Sequence, residues 1–305
     1  MKHLYWLTIP LIILGYIFTP SLLESFERLP VPENQQIVEQ ELLKMYGDKL
    51  KVLTVENSQR LNAGLTAEES IYNYIPFEIP VDGTIVGYQF TTNAQHQVHH
   101  SNVYDQEFDH PFCDLSAKII FAVGEEMSPT YYPKGYGYVA KKGKEFMSEV
   151  MWYNESSQAV NAKMKLKVFY VEDTLEPVIP TLIDVAKPCI TTWVEIPENG
   201  KVLLNSFKDD TAVVAERDYR VLSFGPHCHE GCQYASFLIN EKEVFRFTPE
   251  YDDHGHHPKK IAPIMATDLT IRKGDKVGLE VYYDNTGNKK QVDGMGNIFL
   301  ILQAI

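Results

Sequence analysis

Basic side chains are scarce in this chain. Lys and Arg together number 28 against 41 Asp and Glu, a formal net charge of −13 over 305 residues. No lysine or arginine tract occurs anywhere, and a surface of this sign repels polyanions, which excludes nucleic acid as a partner. Alternation of strands with long helical segments is also missing, which excludes parallel βαβ construction. No pair of carboxylates stands out as a general acid and base. Cysteine is limited to four, a number that suits an oxidising compartment and leaves three possible pairings.

Apolar material is ample at 44%, enough for two domains with their own cores. Long apolar runs are confined to the start. Met1-Lys2-His3 is a short basic lead, Leu4 to Phe18 an apolar run of signal-peptide length, and Thr19 to Leu23 extends it almost to a membrane span. No A-x-A cleavage site follows, so residues 1–24 read as a signal peptide or as an uncleaved membrane anchor. Either places the body outside the cytoplasm, periplasmic, secreted or membrane-anchored.

Residues 25–75 are polar and charged, with a helical piece from Gln35 to Tyr46. From Ile79 onward, short β-rich runs such as GTIVGYQFTT, MKLKVFYV, KVGLEVYY and NIFLILQAI are separated by Gly, Pro, Asn and Asp. This pattern predicts an all-β fold of two tandem antiparallel β-sandwiches, jelly-roll-like. The boundaries fall at 76–178 and 179–305, with the Pro-containing stretch Asp173 to Pro188 as linker. Residues 233–247 read as a β-hairpin turning at Asn240 and Glu241. Asn154-Glu155-Ser156 is a glycosylation sequon.

The second half carries FGPHCHEGC, from Phe224 to Cys232. On an extended segment, His227 and His229 point to the same face and form a two-point metal clamp. Met295, just before the last apolar run, is a candidate third donor. A thioether beside two imidazoles favours copper, especially Cu(I), over zinc. Cys228 and Cys232 are close enough for a small disulfide, and close enough to the histidines to be thiolate ligands, which would turn the site towards zinc. The first half carries QHQVHHSNVY, in which His99 and His100 are adjacent. On a regular strand they face opposite ways, so joint ligation needs a bulge or a strand end. A third run, Asp252 to Pro258, reads as a loop tip with solvated histidines.

Two histidine clusters on successive sandwiches followed by a methionine resemble the copper type II, ascorbate-dependent monooxygenases, the relatives of dopamine β-monooxygenase and peptidylglycine α-hydroxylating monooxygenase. His99-His100 matches the pair on that family's electron-transfer copper, with Tyr132 to Tyr138 resembling the Pro-Lys-Gly-x-Gly segment after it. His227, His229 and Gly231 match the oxygen-activating copper, and Asp293 to Asn297 the segment supplying its methionine. Arg272 to Asp275 and Tyr283 to Thr286 follow the family's order between them. The resemblance implies up to two coppers per chain on His99, His100, His227, His229 and Met295, with ascorbate as electron donor, dioxygen and a small substrate as partners, and hydroxylation of a C–H bond. It assigns no catalytic residue beyond the metal ligands.

The departures from the family are specific. Trp152, or Met151 with a one-residue shift, stands where the third histidine of the first copper belongs, so the first copper is either completed by Met151, His96 or His110 or is weak or absent. Gly225 replaces the arginine that holds a peptide carboxylate, which argues against a peptide C-terminus as substrate. Gly296 replaces a cysteine, so one family disulfide is missing. The alternatives are a non-catalytic extracytoplasmic copper-binding double sandwich and, well behind, a glycan-hydrolysing amidase of the same architecture.

Overall fold

The computed structural model describes residues 33–66, 69–105, 112, 119–124, 130–187, 192–251, 258–260, 264–265, 268–288 and 290–305. One helix, α1 (Glu33–Tyr46), precedes the strands β1 (Lys51–Leu61), β2 (Ile71–Glu78), β3 (Gly83–Thr92), β4 (Val98–Asp105), β5 (Ile119–Gly124), β6 (Tyr136–Ala140), β7 (Glu145–Trp152), β8 (Val160–Val171) and β9 (Glu176–Pro177). These form a five-stranded sheet, β1-β8-β3-β6-β9, and a four-stranded one, β2-β7-β4-β5. Alternation in β7 and β8 sends every second side chain into the space between the sheets. That space is filled by Tyr88, Phe90, Phe121, Phe146, Val150 and Trp152.

β3 is buried on both faces because α1 covers its outer side. Val38 and Leu42, one helical turn apart, are wholly buried against Val86, Phe169 and Val171, while Ile37 and Leu43 face solvent. The close approach depends on Gly87, where a Cβ would lie 2.7 Å from Leu42 Cδ1. The polar stretch read as a separate segment up to residue 75 is therefore part of the first sandwich: β1 pairs along its whole length with β8, and β2 with β7.

The second sandwich comprises β10 (Ile179–Asp184), β11 (Val194–Ile196), β12 (Lys201–Asn205), β13 (Val213–Val214), β14 (Tyr219–Cys228), β15 (Cys232–Ile239), β16 (Lys242–Phe247), β17 (Glu250–Tyr251), β18 (Pro258–Lys260), β19 (Ile264–Met265), β20 (Thr270–Ile271), β21 (Lys276–Asp284), β22 (Gln291–Gly294) and β23 (Gly296–Ala304). One sheet runs β10-β23-β14-β19 with β20 also on β14, the facing one β12-β21-β15-β16 with β13 on β21, and β11-β22 and β17-β18 form short ribbons. The hairpin of β15 and β16 turns at Asn240 and Glu241, both with positive φ (51° and 64°), as a two-residue type I′ loop requires. The fold is all-β, as its sequence pattern predicts.

The expected linker is itself sheet. β9 pairs in parallel with β6 of the first sandwich, and β10 pairs with β23 of the second. The two sandwiches are joined face to face: Leu222 on β14 and Ile301 on β23 belong to the first sandwich's core, with Phe299 packed against it. The sequon asparagine is consumed by the fold. Asn154 is wholly buried, and its amide donates to the carbonyls of Asn62 and Gln158, each at 2.8 Å. Among the described residues no helix is long and apolar enough to cross a membrane. The N-terminal apolar run lies outside those residues.

Candidate metal centre

The adjacent histidines of the first sandwich are separated by a fault in the sheet. β4 slips register against β7 between Val98 and His100, and His99 occupies the extra position, so its ring leaves the sheet. His100 stays in register beside Met151 of β7 and Gly124 of β5. Its Nε2 lies 3.4 Å from Glu149 Oε1, and Tyr104 donates a hydrogen bond to the same oxygen at 3.0 Å. Burial pushes the Glu149 carboxyl up, but the His100 ring and the Tyr104 and Tyr74 hydroxyls outweigh it and hold the group below the usual range.

In the second sandwich, strand alternation decides which way each motif residue points. Along β14, Phe224 and Cys228 enter the second core, and His227, one position from Cys228, faces the first sandwich. On β23, Ile298, Leu300 and Leu302 point inward while Phe299 and Ile301 face the first sandwich. Asn297, the register partner of His227, shares that outward face. His229 lies just past β14 in a turn closed by Cys232 N–H donating to His229 O at 3.2 Å, with Gly231 at φ 78°. Four bonds fix its backbone. Its N–H is shared between Met295 O and the Tyr283 hydroxyl, each at 3.3 Å, and its carbonyl accepts from Cys232 and from the Tyr251 hydroxyl at 3.3 Å. Tyr283 also accepts from Met295 N–H at 2.9 Å and donates to Met295 O.

These two constructions meet at the seam. Ligating atoms of His99, His227 and His229 all lie within 4.8 Å of one another. His99 Nε2 and His229 Nε2 are 3.2 Å apart, and the His227 ring stands 5.0 Å from that of His229 and 6.3 Å from that of His99. Imidazole nitrogens on a tetrahedral ion, with bonds of about 2.0–2.1 Å, are separated by about 3.3 Å, so the donor set suits one metal ion. Three neutral nitrogens leave a fourth position open. His229 is 5% exposed, whereas His99 and His227 are half-buried, so the open side lies towards the latter two. Behind His229, its Nδ1 is 3.6 Å from Asp293 Oδ2, an ion-pair distance longer than a formed hydrogen bond. Burial raises the Asp293 carboxyl, yet the His229 ring and the Gln291 amide bring it below its ordinary value.

The sequence grouped these residues differently. His99 and His100 were expected to share one centre and His227, His229 and Met295 another; the structure instead brings His99 to the second pair and turns His100 towards Glu149. Met295 is buried, with its backbone bonded to His229. Trp152, wholly buried with its ring 6.2 Å from Phe90, is core and not a vacated ligand position. His96 sits in the turn before β4, and His110 and 252–257 lie outside the described residues. Arg272 to Asp275 forms a tight turn, with Arg272 N–H on Asp275 Oδ2 at 2.7 Å and Gly274 at φ 88°. Asp293, Tyr251 and Glu149 were not singled out, although an acidic residue two positions before the expected methionine was a usable signal.

No protein-family model matches the sequence, and no curated protein matches it. Among solved structures, the chain is similar to PNGF-II at 8% identity, covering 88% of this chain and 68% of that one, with a TM-score of 0.39. It is also similar to PNGase F, a glycosylasparaginase from Flavobacterium meningosepticum, at 9% identity over 83% of this chain and 96% of that one, TM-score 0.38. The major capsid protein of bacteriophage PM2 follows at 10% identity, 82% and 97% coverage and a TM-score of 0.30. Likeness at this level assigns the chain to none of them.

Proposed function

We propose that this protein binds one copper ion between its two sandwiches, on His99, His227 and His229, and serves a copper-dependent hydroxylation of a small substrate with dioxygen and a reductant such as ascorbate. The observation that carries the metal reading is the convergence of three imidazoles from two sandwiches within 4.8 Å. Copper is favoured over zinc by the affinity order of divalent metals at nitrogen sites. The oxygen chemistry rests on the ordered motifs of the sequence. Copper there would supply a reduced, oxygen-reactive state with an open coordination position.

The chain's own residues divide the remaining work. The three imidazoles bind, and Asp293 behind Nδ1 orients the His229 ring with Nε2 towards the metal. Tyr283 and Tyr251 hold the turn that carries His229. Leu222, Phe299 and Ile301 join the two sandwiches with apolar contact.

A non-catalytic copper-binding double sandwich is the second reading. It is favoured by the pairing of His100 with Glu149 and by the burial of Trp152 in the core, which leave no second cluster of three donors among the described residues. Metal-free protein reconstituted anaerobically with copper should retain one ion per chain in the presence of excess zinc, and X-ray absorption should report three imidazole nitrogens. Ascorbate-dependent oxygen uptake then separates the two readings. Preferential retention of zinc would overturn the copper assignment.

A further inference from the structure

A single metal centre leaves hydroxylation one electron store short. Placing one atom of dioxygen in a C–H bond and releasing the other as water consumes two electrons and two protons, and one metal ion cycling between two states holds one electron. Two thiols adjoin its ligands in sequence and point into the second core. Cys228 stands between His227 and His229 in sequence, and Cys232 follows His229 by three residues. Both are wholly buried in the core of the second sandwich and are not bridged to each other.

The fold brings the pair together across a single turn. Cys232 N–H donates to His229 O, and one hydroxyl, that of Tyr251, donates to His229 O at 3.3 Å and to Cys232 O at 2.6 Å. Tyr251 and Tyr283 both hold the backbone of the turn that joins the pair, Tyr283 by accepting from His229 N–H at 3.3 Å. Cys228 is also joined covalently through the backbone to a ligand on either side, a short path for electrons to the metal.

We propose that Cys228 and Cys232 form a two-electron store for the metal centre, becoming a disulfide when it is spent. The inference rests on the copper reading given above. Two S–H bonds break and one S–S bond forms, two protons leave, and two electrons pass to the centre. With substrate RH, the sum is RH, dioxygen and dithiol giving ROH, water and disulfide. Dithiol couples are reducing, so electrons run downhill to a cupric ion.

The test uses the full chain, reduced, loaded with one cuprous ion under argon, freed of excess reductant and titrated with ferricyanide. Copper-loaded wild type should give up two electrons more than the Cys228→Ser/Cys232→Ser variant, which shares its other two cysteines, Cys113 and Cys189, with a peptide mass carrying the bond between Cys228 and Cys232. Metal-free wild type should form no such bond over the same period. Should the double variant not fold, the wild-type peptide mass decides. No excess over the variant from copper-loaded wild type, with both thiols intact, overturns the store and leaves the copper centre standing. Disulfide formed equally fast without metal also overturns it, because the thiols then need no conduit. Failure to retain copper at the histidines is distinct from both, removing the reading and the store together.

Discussion

His99 and His229 are 130 residues apart in sequence and belong to different sandwiches, yet their Nε2 atoms lie 3.2 Å from one another. Two imidazole nitrogens this close share a proton or a metal ion. A metal here would bind N- and C-terminal sandwiches at once, so loading should stabilise the whole chain. At a hundredfold excess over the dissociation constant, the gain is about 2.7 kcal/mol. Copper should therefore raise the thermal midpoint of the wild type and not that of His227→Ala/His229→Ala.

Asp293 faces His229 Nδ1 at 3.6 Å. Replacing a carboxylate behind a ligating imidazole typically costs about 10- to 100-fold in metal affinity. Asp293→Asn should lower copper affinity within that range, read by competition with a chromophoric chelator, while the unfolding midpoint of the metal-free protein changes little. An unchanged affinity would show that the carboxylate does not act through His229.

Trp152 invites a histidine substitution on sequence grounds. In the fold it fills the first core, wholly buried, with its indole nitrogen lacking a hydrogen-bond partner among the described residues. Trp152→His should remove buried volume and bury an imidazole, costing on the order of 3 kcal/mol or more. Chemical denaturation should report that loss, and the copper content per chain should stay at one.

Asp184 is 1% exposed, and burial pushes its carboxyl up to about 6, against the N–H groups of Ala186, Lys187 and Thr192 and the Thr192 hydroxyl, which pull it down. A carboxyl raised in the folded state binds more protons folded than unfolded between its ordinary value and 6. Stability from this group is therefore greatest below about 4, declines as pH rises through 6, and is lowest above that. The swing is on the order of 2–3 kcal/mol. Urea titrations of wild type and Asp184→Asn from pH 4 to 7 should differ in slope, the variant losing this dependence.

Strands, hairpin and helix were legible because their signals are local. Alternation fixes faces, Asn240 suits positive φ, and Val38 and Leu42 mark one side of α1. The seam was not, because it depends on a register slip at His99 that no spacing rule reports. His99 and His100 read alike in sequence, and only the slip between Val98 and His100 separates them. The placement of Trp152 escaped for a related reason: its strand alternates, but which face meets the other sheet is a tertiary fact. His227 and His229 were legible as a pair, since their i, i+2 spacing survives at the end of β14.

The shared centre is tested most directly by copper content in two neighbouring variants, His99→Ala and His100→Ala, after anaerobic reconstitution and removal of unbound metal. A single seam site predicts one copper per wild-type chain, its loss or severe weakening in His99→Ala, and its retention in His100→Ala, whose ring is paired with Glu149. Two coppers in the wild type, with both variants losing the same one and keeping the other, would contradict the shared centre.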